Sequence, residues 1–162
     1  SKVKDDKDAI AKLSLAFQQK LLYLGAFPIG VLILWGDLIF SFIFGNAWLA
    51  AGQYAQSLSI WIFFVFISSP LSHLLTIYEK HWESVIFNLV LLLSRVSSLV
   101  FVWYFFEKPG YVVAAYGAVG AFVWGLFIFY LMRLANVSYF GTAKKIIPVT
   151  LFLTSLHFVR YI

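Results

Sequence analysis

Long apolar runs separated by short polar segments dominate the chain. Five runs approach or exceed the roughly 20 residues that an α-helix needs to cross a bilayer: residues 21–44, 54–78, 84–106, 111–132 and 146–162. They lack the strict alternation of polar and apolar positions that marks a membrane β-strand. The pattern therefore predicts an all-α, polytopic transmembrane helical bundle with about five spans.

Residues 1–20 precede the first span and have a different pattern. Three aspartates among the first eight residues suit the N-terminus of a helix, where the helix dipole is positive. The apolar positions then recur at helical spacing, at Ile10, Leu13, Phe17 and Leu21. We expect a cytoplasmic amphipathic helix over residues 1–20 that lies along the membrane and runs into a transmembrane region over residues 21–162.

The composition excludes an ordinary soluble domain. Hydrophobic residues make up 62% of the chain and charged residues 12%, whereas soluble domains have roughly 45–50% and 25%. The absence of cysteine excludes disulfides and thiol chemistry, and the three histidines show no metal-ligand spacing. The sequence gives no catalytic residue, metal site or cofactor motif, and we expect a protein that is not an enzyme.

The net charge of +5 could indicate a nucleic-acid partner, but the positions of the basic residues favour a membrane topology signal. Nine of them fall on one side of the predicted spans: Lys2, Lys4, Lys7, Lys12, Lys20, Lys80, Arg133, Lys144 and Lys145. Because short cytoplasmic loops are enriched in Lys and Arg, the N-terminal segment is predicted to be cytoplasmic. We expect its lysines to contact anionic membrane lipids and not nucleic acid.

This topology has a consequence for the extent of the protein. Five spans that start in the cytoplasm end outside, the fifth is short, and the sequence begins with Ser1 instead of Met. We therefore expect a fragment of a longer transporter-like chain, with a mature five-span protein as the alternative.

Two ionisable residues, Asp37 and Arg95, lie well inside predicted spans. The arginine costs about 3 kcal/mol at the centre of a span, and 15 surrounding Val, Ile, Leu and Phe residues return roughly 7 kcal/mol, so residues 84–106 can still cross. At 100° per residue, Asn88, Ser94 and Ser98 share a helix face with Arg95, and that face must meet protein or water. Arg95 then has two possible roles: a guanidinium in a cavity, binding an anionic group such as phosphate, or a partner that pairs with Asp37 and holds two spans in register.

Residues 35–75, WGDLIFSFIFGNAWLAAGQYAQSLSIWIFFVFISSPLSHLL, carry a resemblance to a known family. A helix ends in a hydrophobic-Phe-Gly turn at residues 43–45, a stretch with Ala47, Trp48 and Ala51 follows, and a later helix has the small-residue repeat of residues 116–121. In order and spacing the chain resembles the C-terminal part of Wzx-type polysaccharide flippases of the multidrug/oligosaccharidyl-lipid/polysaccharide exporter superfamily.

The resemblance implies a bacterial inner-membrane transporter of 12 to 14 helices in two lobes, one of which this chain would partly represent. Its partner would be an undecaprenyl-diphosphate-linked oligosaccharide, translocated for O-antigen, capsule or exopolysaccharide biosynthesis, and the remaining lobe would complete the cavity. Arg95, Asn88, Ser94 and Ser98 are the substrate-binding candidates, and Asp37 is a candidate for an ion pair or ion coupling. Two alternatives stay open: a drug/cation antiporter of the same superfamily, and a membrane-embedded polysaccharide polymerase or glycosyltransferase.

Overall fold

The computed structural model describes residues 2–135 and 139–160, and nearly all of these residues are helical. A short 3₁₀ turn, Asn46–Trp48, separates the first two helices. The helices are α1 (Lys2–Phe44), α2 (Leu49–Ser72), α3 (Leu74–Ile77), α4 (His81–Phe106), α5 (Pro109–Leu134) and α6 (Tyr139–Arg160). The prediction of an all-α helical bundle is confirmed.

Four helical segments are long and apolar enough to cross a membrane: Ala9–Phe44, Asn46–Ile77, His81–Phe106 and Pro109–Leu134. They cover the first four predicted spans, except that the second segment ends one residue before the predicted end at Tyr78, and the protein is membrane-embedded. The fifth predicted span, residues 146–162, falls mostly on α6, and its residues 161 and 162 lie outside the described part of the chain. Among the described residues α6 is not one of the segments that are both long and apolar enough to cross, and lysines, threonines, a serine and a histidine interrupt its apolar positions.

Helix α1 runs without interruption through the boundary that the sequence predicted at residue 20. Its 43 residues extend over about 65 Å at 1.5 Å per residue, twice the roughly 30 Å of bilayer hydrocarbon. Non-helical backbone angles within α1 occur at Trp35, with φ −129° and ψ 15°, and not near residue 20. The N-terminal segment is therefore helical and continuous with span one through residue 20.

The apolar stripe predicted for this segment is largely exposed, and a neighbouring stripe is buried against other helices. Leu13 and Phe17 remain 58% and 51% exposed, whereas Ala11, Leu15 and Leu22 are buried. The helix thus packs through the neighbouring stripe, where small Ala11 allows close approach, and its large apolar side chains stay on the outside.

Helix α2 is the centre of the packing. It contacts α1 on one side and α5 on the other, while α4 packs on α5 and α6 packs on α1. Phe63, Ile67 and Leu71 of α2 are fully buried, together with Ile33 of α1 and Leu131 of α5. All residues of α4 are at least partly exposed, so this peripheral helix presents most of its apolar surface outwards, as a lipid-facing helix does.

Two glycines set the closest helix contacts. A Cβ atom at Gly52 would lie 2.5 Å from the Cα of Asp37, and one at Gly117 would lie 2.7 Å from the carbonyl oxygen of Ser57. Small residues allow membrane helices to approach to backbone contact. Gly52 thereby brings α2 onto α1, and Gly117 brings α5 onto α2.

Candidate functional site

A polar cavity opens between the C-terminal half of α1, the start of α2, the start of α5 and the end of α6. We call this end of the bundle, which carries the turns at Gly45 and Lys108, the Gly45 end, and the opposite end the Lys80 end. The cavity has a volume of about 530 Å³, within the range of small-molecule sites. It is lined by Asp37, Gln53, Tyr54, Gln56, Ser57, Lys108, Gly110, Tyr111, Ala114 and His157.

Asp37 supplies the carboxylate of this cavity. Its Oδ1 accepts a hydrogen bond from the backbone N–H of Leu38 at 2.7 Å and a longer one from Nε2 of Gln56 at 3.4 Å. The break in helical angles at Trp35 lies two residues before it, beside the close contact with Gly52. A backbone kink and a close helix contact thus flank the Asp37 carboxylate.

The remaining lining can form hydrogen bonds and stack on flat or apolar faces. Gln53 and Gln56 carry amides, Tyr54 and Tyr111 carry phenol rings, and the ammonium of Lys108 lies 5.8 Å from the centre of the Tyr111 ring. Of the residues that line the cavity, only Asp37 was a candidate from the sequence. The signal was present in the spacing, because Gln53, Gln56 and Ser57 recur at i, i+3 and i+4, which marks one polar helix face.

Arg95 occupies a different environment, which we call the arginine–aromatic cluster: Arg95, Trp61, Tyr116 and Gly120. The guanidinium carbon lies 4.1 Å from the centre of the Trp61 ring and 4.4 Å from that of Tyr116. Nη1 donates a hydrogen bond to the Tyr116 hydroxyl at 3.0 Å. A Cβ atom at Gly120 would lie 2.7 Å from Nη2, so the guanidinium fits because position 120 has no side chain.

The cluster is stabilised by cation–π contacts and leaves hydrogen-bonding capacity unused. Contacts of this kind contribute up to about 2 kcal/mol where the cation is shielded from water. Within the described part of the chain, the buried Nε and Nη2 of Arg95 and Nε1 of Trp61 donate to no acceptor. These three N–H donors could bind an anionic or neutral acceptor if the helices separated.

The other candidates on the polar face of α4 form hydrogen bonds within their own helix. Asn88 donates to the carbonyl of Ser84 at 2.8 Å, Ser94 to Leu91 at 3.1 Å, and Ser98 to Arg95 at 2.8 Å. The structure places Ser94 and Ser98 with Arg95 on the partly buried side of α4, leaves Asn88 exposed, and places none of the four on the polar cavity.

The structure does not bring Arg95 and Asp37 together as an ion pair. Asp37 meets Gln56 of α2, while the described contacts of Arg95 are with Trp61 of α2 and Tyr116 of α5. The pairing required α1 and α4 to be neighbours, but α2 and α5 lie between them. Arg95 does hold helices in register, but it does so by contacting the rings of Trp61 and Tyr116 and not the carboxylate of Asp37.

The cavity and the cluster are adjacent layers of one helix junction. Trp61 follows the cavity residue Ser57 by four positions, about 6 Å along α2, and Tyr116 follows Ala114 by two on α5. The backbone contact between Gly117 and Ser57 lies at the boundary of the two layers. The described residues contain no group of three His, Asp or Glu side chains that could hold a metal ion.

Comparison of the chain with family models, curated proteins and solved structures finds no match. The resemblance noted in the sequence therefore supports a hypothesis of function and no assignment to a family.

Proposed function

We propose that this chain is part of a flippase that translocates undecaprenyl-diphosphate-linked oligosaccharide repeat units across the bacterial inner membrane. The observation that carries the proposal is the polar cavity of about 530 Å³ inside a bundle of apolar helices. In the proposed orientation the N-terminal segment is cytoplasmic and the Gly45 end faces outwards. The surface polymer served would be O-antigen, capsule or exopolysaccharide.

The lining of the cavity suits a hydroxyl-rich head group. Asp37, Gln53 and Gln56 offer carboxylate and amide groups, which can bind sugar hydroxyls as donors and acceptors. Tyr54 and Tyr111 offer rings with a polar tip. A lipid tail would stay in the bilayer while the sugar enters the cavity, so one molecule would use both the polar interior and the apolar exterior.

Arg95 is the proposed contact for the diphosphate. Arginine binds phosphate oxygens through its forked N–H donors, and two of the three guanidinium nitrogens have no acceptor among the described residues. The contact of Gly117 with Ser57 separates these donors from the cavity in this conformation. A movement of α5 away from α2 during alternating access would join the two layers.

A drug/cation antiporter of the same superfamily is the second candidate, because Asp37 lines the cavity beside two tyrosine rings. A carboxylate with aromatic rings binds organic cations. Lys108, also in the lining, opposes a cationic substrate by charge repulsion.

A complementation experiment with the full-length protein tests the proposal. A deletion strain should accumulate lipid-linked repeat units on the cytoplasmic leaflet, and the wild-type gene should restore export. Ala114→Trp, which fills the cavity, should abolish this rescue, whereas Ala118→Trp, on an exposed position one turn further along α5, should retain it. Immunoblots of membranes establish equal protein levels.

Normal export in the deletion strain would contradict the flippase proposal. Normal export combined with greater sensitivity to cationic drugs would establish the antiporter in its place.

A further inference from the structure

An apolar groove runs between α4 and α5 toward the Lys80 end. It has a volume of about 290 Å³, and its walls are Ile86, Phe87 and Val90 of α4 with Val123, Leu126 and Phe127 of α5. Both helices are membrane spans by length and composition, so the groove opens onto hydrocarbon. Apolar space at this depth is filled by lipid chains or protein and excludes water.

The floor of the groove is preformed by aromatic packing. Phe87 of α4 stacks on Phe127 of α5 with ring centres 3.6 Å apart and planes 12° apart, and Trp124 meets Phe87 edge-on at 5.0 Å. Stacked rings across two helices hold the walls at a fixed distance. The groove is therefore a rigid slot that an extended chain can enter without rearranging the helices.

Charged and amphipathic side chains gather where the groove reaches the Lys80 end. Glu83 and Tyr130 close the lining, and Nζ of Lys80 donates to Glu83 at 2.7 Å. The hydrogen bond that Lys80 donates to Glu83, followed by the charge of Glu83, raises the pKa of Lys80 above its ordinary value. Lys80 is therefore cationic across the physiological range.

Arg133 adds a second cation to this end of the groove. It lies one helical turn beyond Tyr130, is exposed, and stands in the last turn of α5, where the helix dipole favours positive charge. Trp82, 76% exposed beside Lys80, is of the type that anchors helices at the membrane interface. Glu79 and Glu83 balance Lys80 and Arg133 locally, but the predicted cytoplasmic side as a whole carries nine basic and five acidic residues, so the Lys80 end has a net positive charge.

We infer that the α4–α5 groove holds one acyl chain of an acidic phospholipid, with the lipid phosphate bound between Lys80 and Arg133. Basic pockets between transmembrane helices recognise acidic head groups in this way. Lys80 keeps ammonium protons beyond the one bound to Glu83, and the Tyr130 hydroxyl can donate as well. The inference requires membrane embedding and charge complementarity only, so it stands independently of the transported substrate.

Native mass spectrometry of the full-length protein released from detergent tests this inference. The protein is equilibrated with equal amounts of phosphatidylglycerol and phosphatidylcholine of the same chain length, and the retained lipids are counted. We expect preferential retention of phosphatidylglycerol, and about fivefold weaker retention for each of Lys80→Gln and Arg133→Gln, as expected for about 1 kcal/mol per basic residue. Lys108→Gln, which removes a lysine at the opposite end of the bundle, is the matched charge control and should bind as the wild type.

A second pair of variants tests the acyl-chain slot itself. Val90→Trp fills the groove and should reduce retention of both lipids, whereas Leu93→Trp, on the exposed side of the same helix, should leave retention unchanged. Size-exclusion profiles and helical circular dichroism show that each variant is folded. Equal retention of the two lipids by the wild type, or unchanged retention in the double variant of Lys80 and Arg133, would overturn the inference.

Discussion

The polar cavity and the arginine–aromatic cluster each hold an ionisable side chain within membrane-spanning helices, and they do so in opposite ways. Asp37 lines an open cavity with amides, hydroxyls and a lysine. Arg95 is enclosed by two aromatic rings, and Gly120 leaves the space for it. An ionisable group within a span must meet water or protein. The carboxylate of Asp37 does so at the wall of a cavity, and the guanidinium of Arg95 does so by joining α4 to α2 and α5.

The two layers also differ in what holds them together. The α1–α2 contact beside the cavity is backbone against backbone, at Gly52 and Asp37, whereas the cluster is side chain against side chain. Backbone cannot move aside without shifting a whole helix, while the end of an arginine side chain can rotate. The frame of the cavity should therefore tolerate less change than the cluster beside it.

The largest expected effect is that of Gly52→Ala. The new methyl group would lie 2.5 Å from the Cα of Asp37, and separating α1 from α2 should cost about 3 kcal/mol of unfolding free energy. Gly120→Ala meets the flexible end of Arg95 and the Trp61 ring at 2.7 and 3.0 Å, and should cost about 1 kcal/mol. Denaturant unfolding in detergent, followed by circular dichroism, measures both.

The control for this pair is Gly125→Ala. Its methyl group would lie at ordinary contact distance from Phe64, 3.6 Å, so stability should be unchanged or higher by about 0.5 kcal/mol. A larger loss for Gly120→Ala than for Gly52→Ala would refute the distinction between the two layers.

The next prediction compares the two ionisable residues, Arg95 and Asp37, directly. Arg95→Ala removes the cation from between two rings and should lower the unfolding free energy by about 2 kcal/mol. Asp37→Asn keeps the size of the side chain, its place on the cavity wall and an oxygen that can accept from the Leu38 N–H and from Gln56, so the loss should be smaller, about 1 kcal/mol or less. The same denaturant unfolding experiment measures both losses. A larger loss for Asp37→Asn than for Arg95→Ala would show that Asp37 is the structural residue.

More of the fold than of the candidate site could be predicted from the sequence. The apolar runs predicted five spans, and four of them correspond to helices long and apolar enough to cross a membrane, because span length and composition are local properties. The fifth predicted span, residues 146–162, falls mostly on α6. The partner of Arg95 was not predictable, since it depended on α2 and α5 lying between α1 and α4. The polar face of Gln53, Gln56 and Ser57 was visible in the spacing, but only the packing of α6 and α5 around it makes a cavity.

The α1 segment shows a second limit of pattern reasoning. Helical spacing selected the stripe of Ile10, Leu13 and Phe17 because its side chains are large and apolar. The helix also buries a neighbouring stripe that includes Ala11, Ser14 and Gln18, since close approach between helices favours small residues as well as apolar ones. Periodicity located the helix and its apolar stripe, but the stripe that packs on protein was not predicted.

The smallest effect, that of Ser98→Ala, tests the sequence-predicted binding face. The Ser98 hydroxyl donates to the Arg95 carbonyl within α4 at 2.8 Å, and such bonds to the preceding turn contribute little to helix stability. We therefore expect a change below about 0.5 kcal/mol in unfolding free energy and an unchanged rate of lipid-linked oligosaccharide export in the full-length protein. Arg95→Ala in the same assay should abolish export, because its Nε and Nη2 are the donors left without acceptors among the described residues. A loss of export in Ser98→Ala at normal stability would instead show that the substrate reaches the whole polar face of α4, and that this face separates from α5 during transport.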